Sequence, residues 1–443
     1  MGSGKSTAAF QYIKDHPEFH YVYCTPLLSE INRIQRECPD AHMIDPKKIG
    51  GKKINGFNRL LEQGKNVAVS HATFALSDEI TMKHIRENNY ILFMDEVLDV
   101  LLDYNDIATK KIRSGDPKLM LNNGLISVDR FGKVKWIGKD SEDSSFNDVK
   151  KLADRGSLFY LNETLLVWKF PPEVFDAFDK TYIMTFLFAG SYLKPYFQYH
   201  SIPYELATLE DGVIVPYHPP SEEKMKQIRE LITIDFSPKR NNYNGNALSR
   251  TFYLNASKTE KEKMKSNIYN YTRNVAKATS RDVMWTAFED VRAENNKIVR
   301  IRSALKGPGY VTRKITSEEE RKVLDDQFLT DEEKEKKLAN MKSCYVANNA
   351  RASNDYRDRR VLVYALNLYC NGYIKNFFSN KNEAEGRNIH VDEDAFSLSC
   401  MLQWIWRSQI RDGKPIKIYI PSTRMRNLLV KWLNGFAECE EAA

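Results

Sequence analysis

The sequence lacks a cluster of cysteines, a long apolar run and a strong excess of one charge. Its six cysteines are scattered without a CxxC pair, so neither a disulfide framework nor a zinc site is indicated. The longest apolar run, Tyr182 to Ala189, has the length of a strand, whereas a membrane span needs ~20 residues. No basic segment with an apolar segment behind it opens the chain, so secretion is not indicated. These absences predict a cytoplasmic protein without a membrane partner.

The size and charge of the chain limit the number of domains and the kinds of partner that can be expected. With 443 residues, two or three domains are expected. The 66 Lys and Arg residues against 59 Asp and Glu residues give a net charge of +7. This is a mild bias toward a polyanionic partner, which permits nucleic acid without requiring it.

Short apolar runs alternate with helical periodicity over residues 5–100, which predicts a parallel sheet with helices on both faces. Residues 103–179 interrupt this alternation. Within them, Leu125–Val128 and Val134–Ile137 flank a turn and predict a β-hairpin insertion. The Pro- and Glu-rich stretch Tyr217–Glu223 marks the boundary between a first domain, 1–216, and a second, 217–443.

A second region of alternating strands and helices is predicted from about residue 232 onward. Its expected strands are Thr251–Leu254, Val283–Ala287, Ser343–Ala347 and Ile416–Ile420. Its expected helices are Lys258–Ala276, Arg360–Phe377, Asp394–Arg411 and Thr423–Phe436. The sequence therefore predicts an α/β fold in two domains.

The run GSGKST leads into a predicted helix and has the form of the second half of a P-loop. Small residues let backbone N–H groups close around phosphates, and a helix N-terminus adds a favourable dipole. Lys5 would neutralise the β- and γ-phosphates of ATP, and the Ser6 hydroxyl would ligate Mg²⁺. A flexible Gly/Ser tail is the alternative, because GSG is common in linkers. The full pattern also needs a Gly or Ala five residues before Gly4, and it has no counterpart here. The candidate ATP-binding residues are Gly2, Ser3, Gly4, Lys5, Ser6 and Thr7.

The run ILFMDE at residues 91–96 is an apolar strand that ends in two acids. Asp95 at the strand end would hold Mg²⁺ through water, and Glu96 would orient or deprotonate the attacking water. The alternative is that the two acids only cap the next helix. The P-loop upstream favours the catalytic interpretation.

Three polar residues recur near the C-terminus. Gln403, Arg407 and Arg411 stand at i, i+4 and i+8, which places them on one stripe of the helix expected at Asp394–Arg411. Two guanidinium groups on such a face suit contact with triphosphate oxygens, and an arginine finger is worth ~10³–10⁵ in rate. A solvated arginine face is the alternative.

Two further loops follow predicted strands. Asn348 and Arg351 lie in a loop of small residues that is able to contact a phosphodiester backbone, with an Asn-rich turn as the alternative. The run AGS at residues 189–191 is placed either as an element that senses the γ-phosphate or as a helix start with Ser191 as N-cap.

The order of these motifs resembles the motif ladder of superfamily 2 helicases of the DEAD/DEAH type. GSGKST, TPLLSE at residues 25–30, SHATF at 70–74, FMDE, AGS, NARASND and QxxxRxxxR follow one another along nearly the whole chain. More narrowly it looks like the phage and mobile-element branch, similar to origin-binding helicases. The arginines here stand four residues apart where the family has three, and AGS stands where SAT is commoner.

The resemblance implies two RecA-like domains with ATP and Mg²⁺ bound between them and single-stranded nucleic acid crossing both. Thr25, Pro26, Ser70 and His71 would contact the nucleic-acid backbone, and Arg407 or Arg411 would be the finger. The function implied is an ATP-dependent helicase or translocase, acting on DNA rather than RNA, in phage or mobile-element replication. The alternatives are a catalytically impaired nucleic-acid-binding remnant, which the incomplete P-loop favours, and a P-loop phosphotransferase.

Overall fold

The computed structural model describes residues 4–139, 146–292, 298–350, 355–385 and 389–435, without the side chains of 292 and 380–385. It divides the chain into two compact units. The N-terminal unit comprises Gly4–Glu205 and Cys370–Asp392, and the C-terminal unit contains the described residues of Leu206–Tyr369 and Glu393–Ala443. The division falls at 205/206 rather than at the expected 216/217. The expected second domain also gives up Cys370–Asp392 to the first unit.

Among its described residues before 206, the N-terminal unit contains nine strands and nine α-helices. The strands are β1 (His20–Thr25), β2 (Val67–Ser70), β3 (Tyr90–Asp95), β4 (Leu101–Asp103), β5 (Ile126–Val128), β6 (Val134–Trp136), β7 (Leu158–Leu161), β8 (Leu165–Lys169) and β9 (Lys180–Met184). The helices are α1 (Lys5–Asp15), α2 (Leu28–Glu37), α3 (Lys53–Glu62), α4 (His71–Phe74), α5 (Glu79–Glu87), α6 (Tyr104–Ile107), α7 (Asp116–Asn122), α8 (Asn147–Asp154) and α9 (Leu193–His200).

The remaining elements follow in chain order. The strands are β10 (Ala207–Glu210), β11 (Val213–Pro216), β12 (Ile232–Ile234), β13 (Val283–Thr286), β14 (Val291–Arg292), β15 (Ile298–Val299), β16 (Val361–Tyr364) and β17 (Ile416–Tyr419). The helices are α10 (Glu222–Glu230), α11 (Arg250–Asn255), α12 (Lys258–Asn270), α13 (Arg302–Leu305), α14 (Ser317–Leu324), α15 (Asp331–Lys342), α16 (Gly372–Glu385), α17 (Glu393–Ile405) and α18 (Thr423–Leu433). Every helix among the described residues is too short or too polar to serve as a membrane span.

A parallel sheet in the order β2-β1-β3-β9 forms the centre of the N-terminal unit. Successive side chains of a strand point to opposite faces. Tyr21 and Tyr23 therefore pack in one core with α1 and α2, while Val22 and Cys24 pack in the other with α3. This sandwich places the carboxyl end of β3 beside the start of α1, where the candidate site lies.

The expected insertion lies between β3 and β9. Its hairpin β5-β6 is antiparallel, as predicted, and β4, β8 and β7 form an antiparallel sheet that the sequence pattern did not reveal. A separate apolar core holds it together, with Tyr104, Met120, Val134 and Leu158 among its members. Although α16 comes late in the chain, its Phe377 packs edge-on against Phe159, with ring centroids 5.5 Å apart.

The C-terminal unit has its own parallel sheet in the order β12-β17-β16-β13. Val283, Trp285, Val361 and Val363 share one core on this sheet, whereas Tyr364 lies edge-on to Trp404 of α17, with centroids 5.4 Å apart. The prediction of two tandem RecA-like units, each with a parallel sheet flanked by helices, is confirmed.

Three predicted elements of this unit are wrong. The stretch Ser343–Ala347, expected to be a strand, forms only isolated bridges, from Tyr345 to Trp285 and from Ser343 to Thr312. The strand expected at Thr251–Leu254 lies within helix α11, whose start is capped by the Ser249 hydroxyl. The helix expected at Arg360–Phe377 is instead the central strand β16 followed by α16. All four residues of β16 are buried. A strand buried on both faces is continuously apolar and has the same pattern as a buried helix.

Candidate nucleotide-binding site

Helix α1 begins directly after a glycine in the left-handed conformation. Gly4 has φ 75° and ψ 16°, which a residue with a Cβ rarely adopts, and no side chain caps the first turn. The first N–H groups of a helix have no partner inside it and carry the positive end of the dipole. With Lys5 as its first residue, this turn suits an anion such as a phosphate. Gly2 and Ser3 lie outside the described residues.

The two acids lie at the end of β3. Asp95 is its last residue, and Glu96 follows with φ 63°, a value that is uncommon for a residue other than glycine. The Glu96 N–H donates to the Met184 carbonyl of β9 at 3.3 Å, which holds this turn against the neighbouring strand. Backbone strain of this kind occurs at functional sites.

The charges of α1 and β3 act on one another. Burial lowers the pKa of the Lys5 ammonium, while Glu96 and Asp95 oppose that shift. Burial, Glu96 and Glu30 raise the pKa of Asp95 to about 7, against the opposing effects of Lys5 and Arg33. Binding of a cation beside Asp95 and Glu96 would therefore be energetically favourable.

Glu30 and its neighbours are members of this site that the sequence pattern did not single out. Arg33 pairs with Glu30 at 3.1 Å, and both lie on α2, which follows β1. Burial, Asp95 and Glu30 raise the pKa of Tyr23 above its ordinary range, and Ser6 lies beside its hydroxyl. Glu30 is the last residue of the TPLLSE run. Its position in that motif is the sequence feature that could have identified it as a member of the site.

These residues fit ATP and Mg²⁺. Ser6, in the first turn of α1, offers a hydroxyl, and Asp95 offers a carboxylate. No group of three His, Cys, Asp or Glu side chains suited to a metal was found among the described residues. Mg²⁺ in phosphate-transfer sites needs no such group, because one or two protein oxygens, waters and substrate phosphates complete its shell.

The loops expected to contact nucleic acid are partly buried. Thr25 pairs in register with Ser70 across β1 and β2, so their strands end at the same edge. Thr25 is fully buried and His71 is 5% exposed, whereas Pro26 and Ser70 are partly exposed. Pro26 and Ser70 are therefore accessible to a nucleic-acid strand. Thr25 and His71 are too buried in this conformation to contact one.

His71 has a different contact. Its Nε2 lies 3.0 Å from the main-chain oxygen of Asp95. A carbonyl oxygen only accepts, so Nε2 carries the proton. His71 therefore ties the start of α4 to the end of β3.

The polar stripe expected on one C-terminal helix does not exist. Helix α17 ends at Ile405, and Arg411 lies in a separate 3₁₀ turn, Gln409–Asp412. The Ser408 hydroxyl and N–H both donate to the Ile405 carbonyl, at 2.7 and 3.1 Å. Side-chain bonds of this kind compete with helix continuation, which the residue spacing did not show.

Gln403, Arg407 and Arg411 consequently differ in environment. Arg407 is 8% exposed and Arg411 is exposed. Gln403 is half-buried, and its Nε2 donates to the Ser399 hydroxyl at 3.3 Å.

The remaining loops are only partly described. Asn348 accepts a hydrogen bond from the Tyr364 hydroxyl at 2.6 Å, while Arg351 lies outside the described residues. Ser191 is not the N-cap of α9, because Tyr192 takes that position and the Ser191 hydroxyl donates to the Phe188 carbonyl at 2.8 Å.

Comparison with known proteins gives matches over most of the chain. Residues 226–433 match the YonV C-terminal Rossmann-like domain, and residues 107–168 match the YonV middle domain. The SPbeta prophage-derived uncharacterized protein YonV of Bacillus subtilis (strain 168) is 30% identical over 455 residues, which cover 98% of this chain and 97% of the relative.

Two solved structures also resemble the chain. One is S. tokodaii Xpd4, with a TM-score of 0.43 and 13% identity over 98% of this chain and 92% of the other. The second is an XPD helicase, with a TM-score of 0.43 and 10% identity over 98% of this chain and 93% of the other.

Proposed function

The chain belongs to the YonV family, and we propose that it is an ATP-dependent helicase or translocase that acts on nucleic acid. DNA is the proposed substrate, and the prophage origin of the YonV relative supports a role in phage or mobile-element replication. The observation that carries this proposal is the electrostatic coupling of Lys5, at the uncapped start of α1, with Asp95 and Glu96 at the end of β3.

Each residue has a part in the proposed reaction. Lys5 and the first N–H groups of α1 would bind the phosphates, and Ser6 and Asp95 would hold Mg²⁺, which would supply charge neutralisation when bound. Glu96 orients the attacking water and accepts its proton. The positive φ of Glu96 turns the chain sharply after Asp95. In the proposed reaction the two adjacent carboxylates have different roles, Asp95 at the metal and Glu96 at the attacking water.

Arg411 is the preferred candidate for the arginine finger, because it is exposed while Arg407 is buried. Asn348, Pro26 and Ser70 remain proposed contacts for the nucleic-acid backbone.

Two other functions make different predictions. A motor remnant binds nucleic acid without turnover, and a phosphotransferase transfers phosphate to a small acceptor without stimulation by DNA.

ATPase assays with and without single-stranded DNA test the proposal. We expect stimulation by DNA, loss of nucleotide binding in Lys5→Ala, and retention of bound ATP with turnover reduced ~10²–10⁴-fold in Glu96→Gln. Lys14→Ala, at an exposed position of the same helix, is the control and should behave as the unchanged protein. An unchanged kcat in both site variants would contradict the proposal.

A further inference from the structure

A polar cavity in the N-terminal unit is lined by none of the residues of the candidate nucleotide-binding site. It measures about 390 Å³, and its walls include Lys133, Arg155, Lys169 and His200. All but one of these belong to the insertion, and His200 ends α9. The volume is within the range of pockets that hold nucleotide-sized ligands.

The fold brings Lys133 and Arg155 together. Gly156 has φ 67°, and a Cβ on it would stand 2.9 Å from Lys133 Nζ, so the lysine tip lies against the residue next to Arg155. Glycine at 156 therefore permits both the turn and the approach of the lysine.

The third cation is fixed in place. Lys169 Nζ lies 3.2 Å from His200 Nε2, and it stands 4.9 Å from the centroid of the Phe159 ring. The ammonium donates to the imidazole and is attracted by the ring face. These two contacts orient the ammonium.

Two acids also line the cavity. Asp129 accepts the N–H groups of Phe131 and Lys133 at 2.9 and 2.8 Å, so its carboxylate closes the hairpin turn. Glu173 is exposed. The cavity is lined by three permanent cations and two carboxylates, one of which is hydrogen-bonded to the backbone. The net charge of the cavity is therefore positive.

We propose that this cavity binds a phosphate group, with Lys133, Arg155 and Lys169 as its ligands. The phosphate comes from a nucleic-acid strand or from a small phosphate compound. This inference does not depend on ATP hydrolysis, because the cavity shares no residue with the P-loop site.

The test compares two double variants in the full-length chain without nucleotide. Lys133→Ala/Arg155→Ala removes two cations from the cavity. Lys135→Ala/Lys151→Ala removes two exposed cations from the same hairpin and from α8, outside the cavity. Affinity for single-stranded DNA is measured by fluorescence anisotropy against salt, affinity for pyrophosphate by calorimetry, and folding by melting temperature.

If a strand supplies the phosphate, the cavity variant loses about tenfold or more in DNA affinity, and the slope of log K against log salt falls by roughly 1.4. In the control variant, the DNA affinity and the salt slope both change less. If a small compound supplies it, only pyrophosphate affinity falls in the cavity variant. Equal effects of both variants on both ligands, with both proteins folded, would overturn the proposal. Lys169→Gln, which keeps most of the side-chain length, repeats the test if the double variant fails to fold.

Discussion

The Nε2 atom of His71 lies 3.0 Å from the main-chain oxygen of Asp95, which joins the end of β2 to the catalytic candidate on β3. We expect His71→Ala to lower stability by about 1–3 kcal/mol, because it leaves a buried carbonyl without its donor. We also expect kcat to fall about tenfold, since the position of Asp95 is then less well defined. Melting curves and ATPase rates measure the two effects. His71→Gln keeps an N–H donor, so it should retain part of the stability and part of the kcat. Equal losses in His71→Ala and His71→Gln would contradict a role of this hydrogen bond in positioning Asp95.

The raised pKa of Asp95 predicts a pH-dependent effect on stability. Its folded-state value of about 7 lies above the ordinary ~3.9, so the folded protein binds this proton more tightly than the unfolded chain does. Ionised Asp95 therefore lowers stability above pH 7, and the loss disappears as the pH falls toward ~4. In EDTA without nucleotide, Asp95→Asn should raise the melting temperature at pH 8 and change it little near pH ~4.

The exposed Asp179 provides the control for this measurement, because Asp179→Asn makes the same chemical change at the surface. A lower melting temperature for Asp95→Asn at pH 8 would show that the carboxylate is stabilised in the folded protein.

Arg407 and Arg411 should separate stability from catalysis. Arg407 is buried, so Arg407→Ala should lower the free energy of unfolding by about 1–3 kcal/mol. Arg411 is exposed, so Arg411→Ala should change it by less than ~0.5 kcal/mol. If Arg411 is the finger, the same variant lowers kcat by ~10³ and leaves ATP affinity intact. Full activity in folded Arg411→Ala would remove it from the site.

Two tyrosines of β1 make a matched pair. The Tyr21 hydroxyl donates to the His16 carbonyl at 2.6 Å. The Tyr23 hydroxyl lies beside Ser6 but makes no hydrogen bond of good geometry among the described residues. A buried hydroxyl without a partner costs stability, while a bonded one contributes about 1 kcal/mol. Chemical denaturation should show Tyr21→Phe destabilised by about that amount and Tyr23→Phe unchanged or stabilised. Equal destabilisation would mean that Tyr23 has a partner.

The first parallel sheet was largely predictable from sequence. The alternation of short apolar runs with helical segments over residues 5–100 predicted it, and the apolar run at residues 91–96 marked the strand that ends at Asp95. Gly4, Lys5, Asp95 and Glu96 were predicted as site residues, because glycine and lysine at a helix start and paired acids at a strand end are typical of a phosphate and metal site. The structure brings Lys5, Asp95 and Glu96 together.

The missed features depend on contacts distant in sequence. Glu30 acts on Asp95 only because α2 packs on the same face of the sheet as α1. Helix α17 ends at Ile405 because of a serine bond that residue spacing does not reveal. Val361–Tyr364 became a strand because β13 and β17 pair with it on both sides.

The sequence by itself determined the α/β class, the helix that follows Gly4 and the acidic strand end, because local periodicity and the preferences of single residues are encoded over a few neighbouring residues. Only the tertiary structure decided which polar groups are buried. It placed His71 against Asp95 and put Arg407 in the interior while leaving Arg411 at the surface. It also assembled Lys133, Arg155 and Lys169 around one cavity. Burial and charge proximity depend on packing between segments far apart in the chain, so no local pattern contains them.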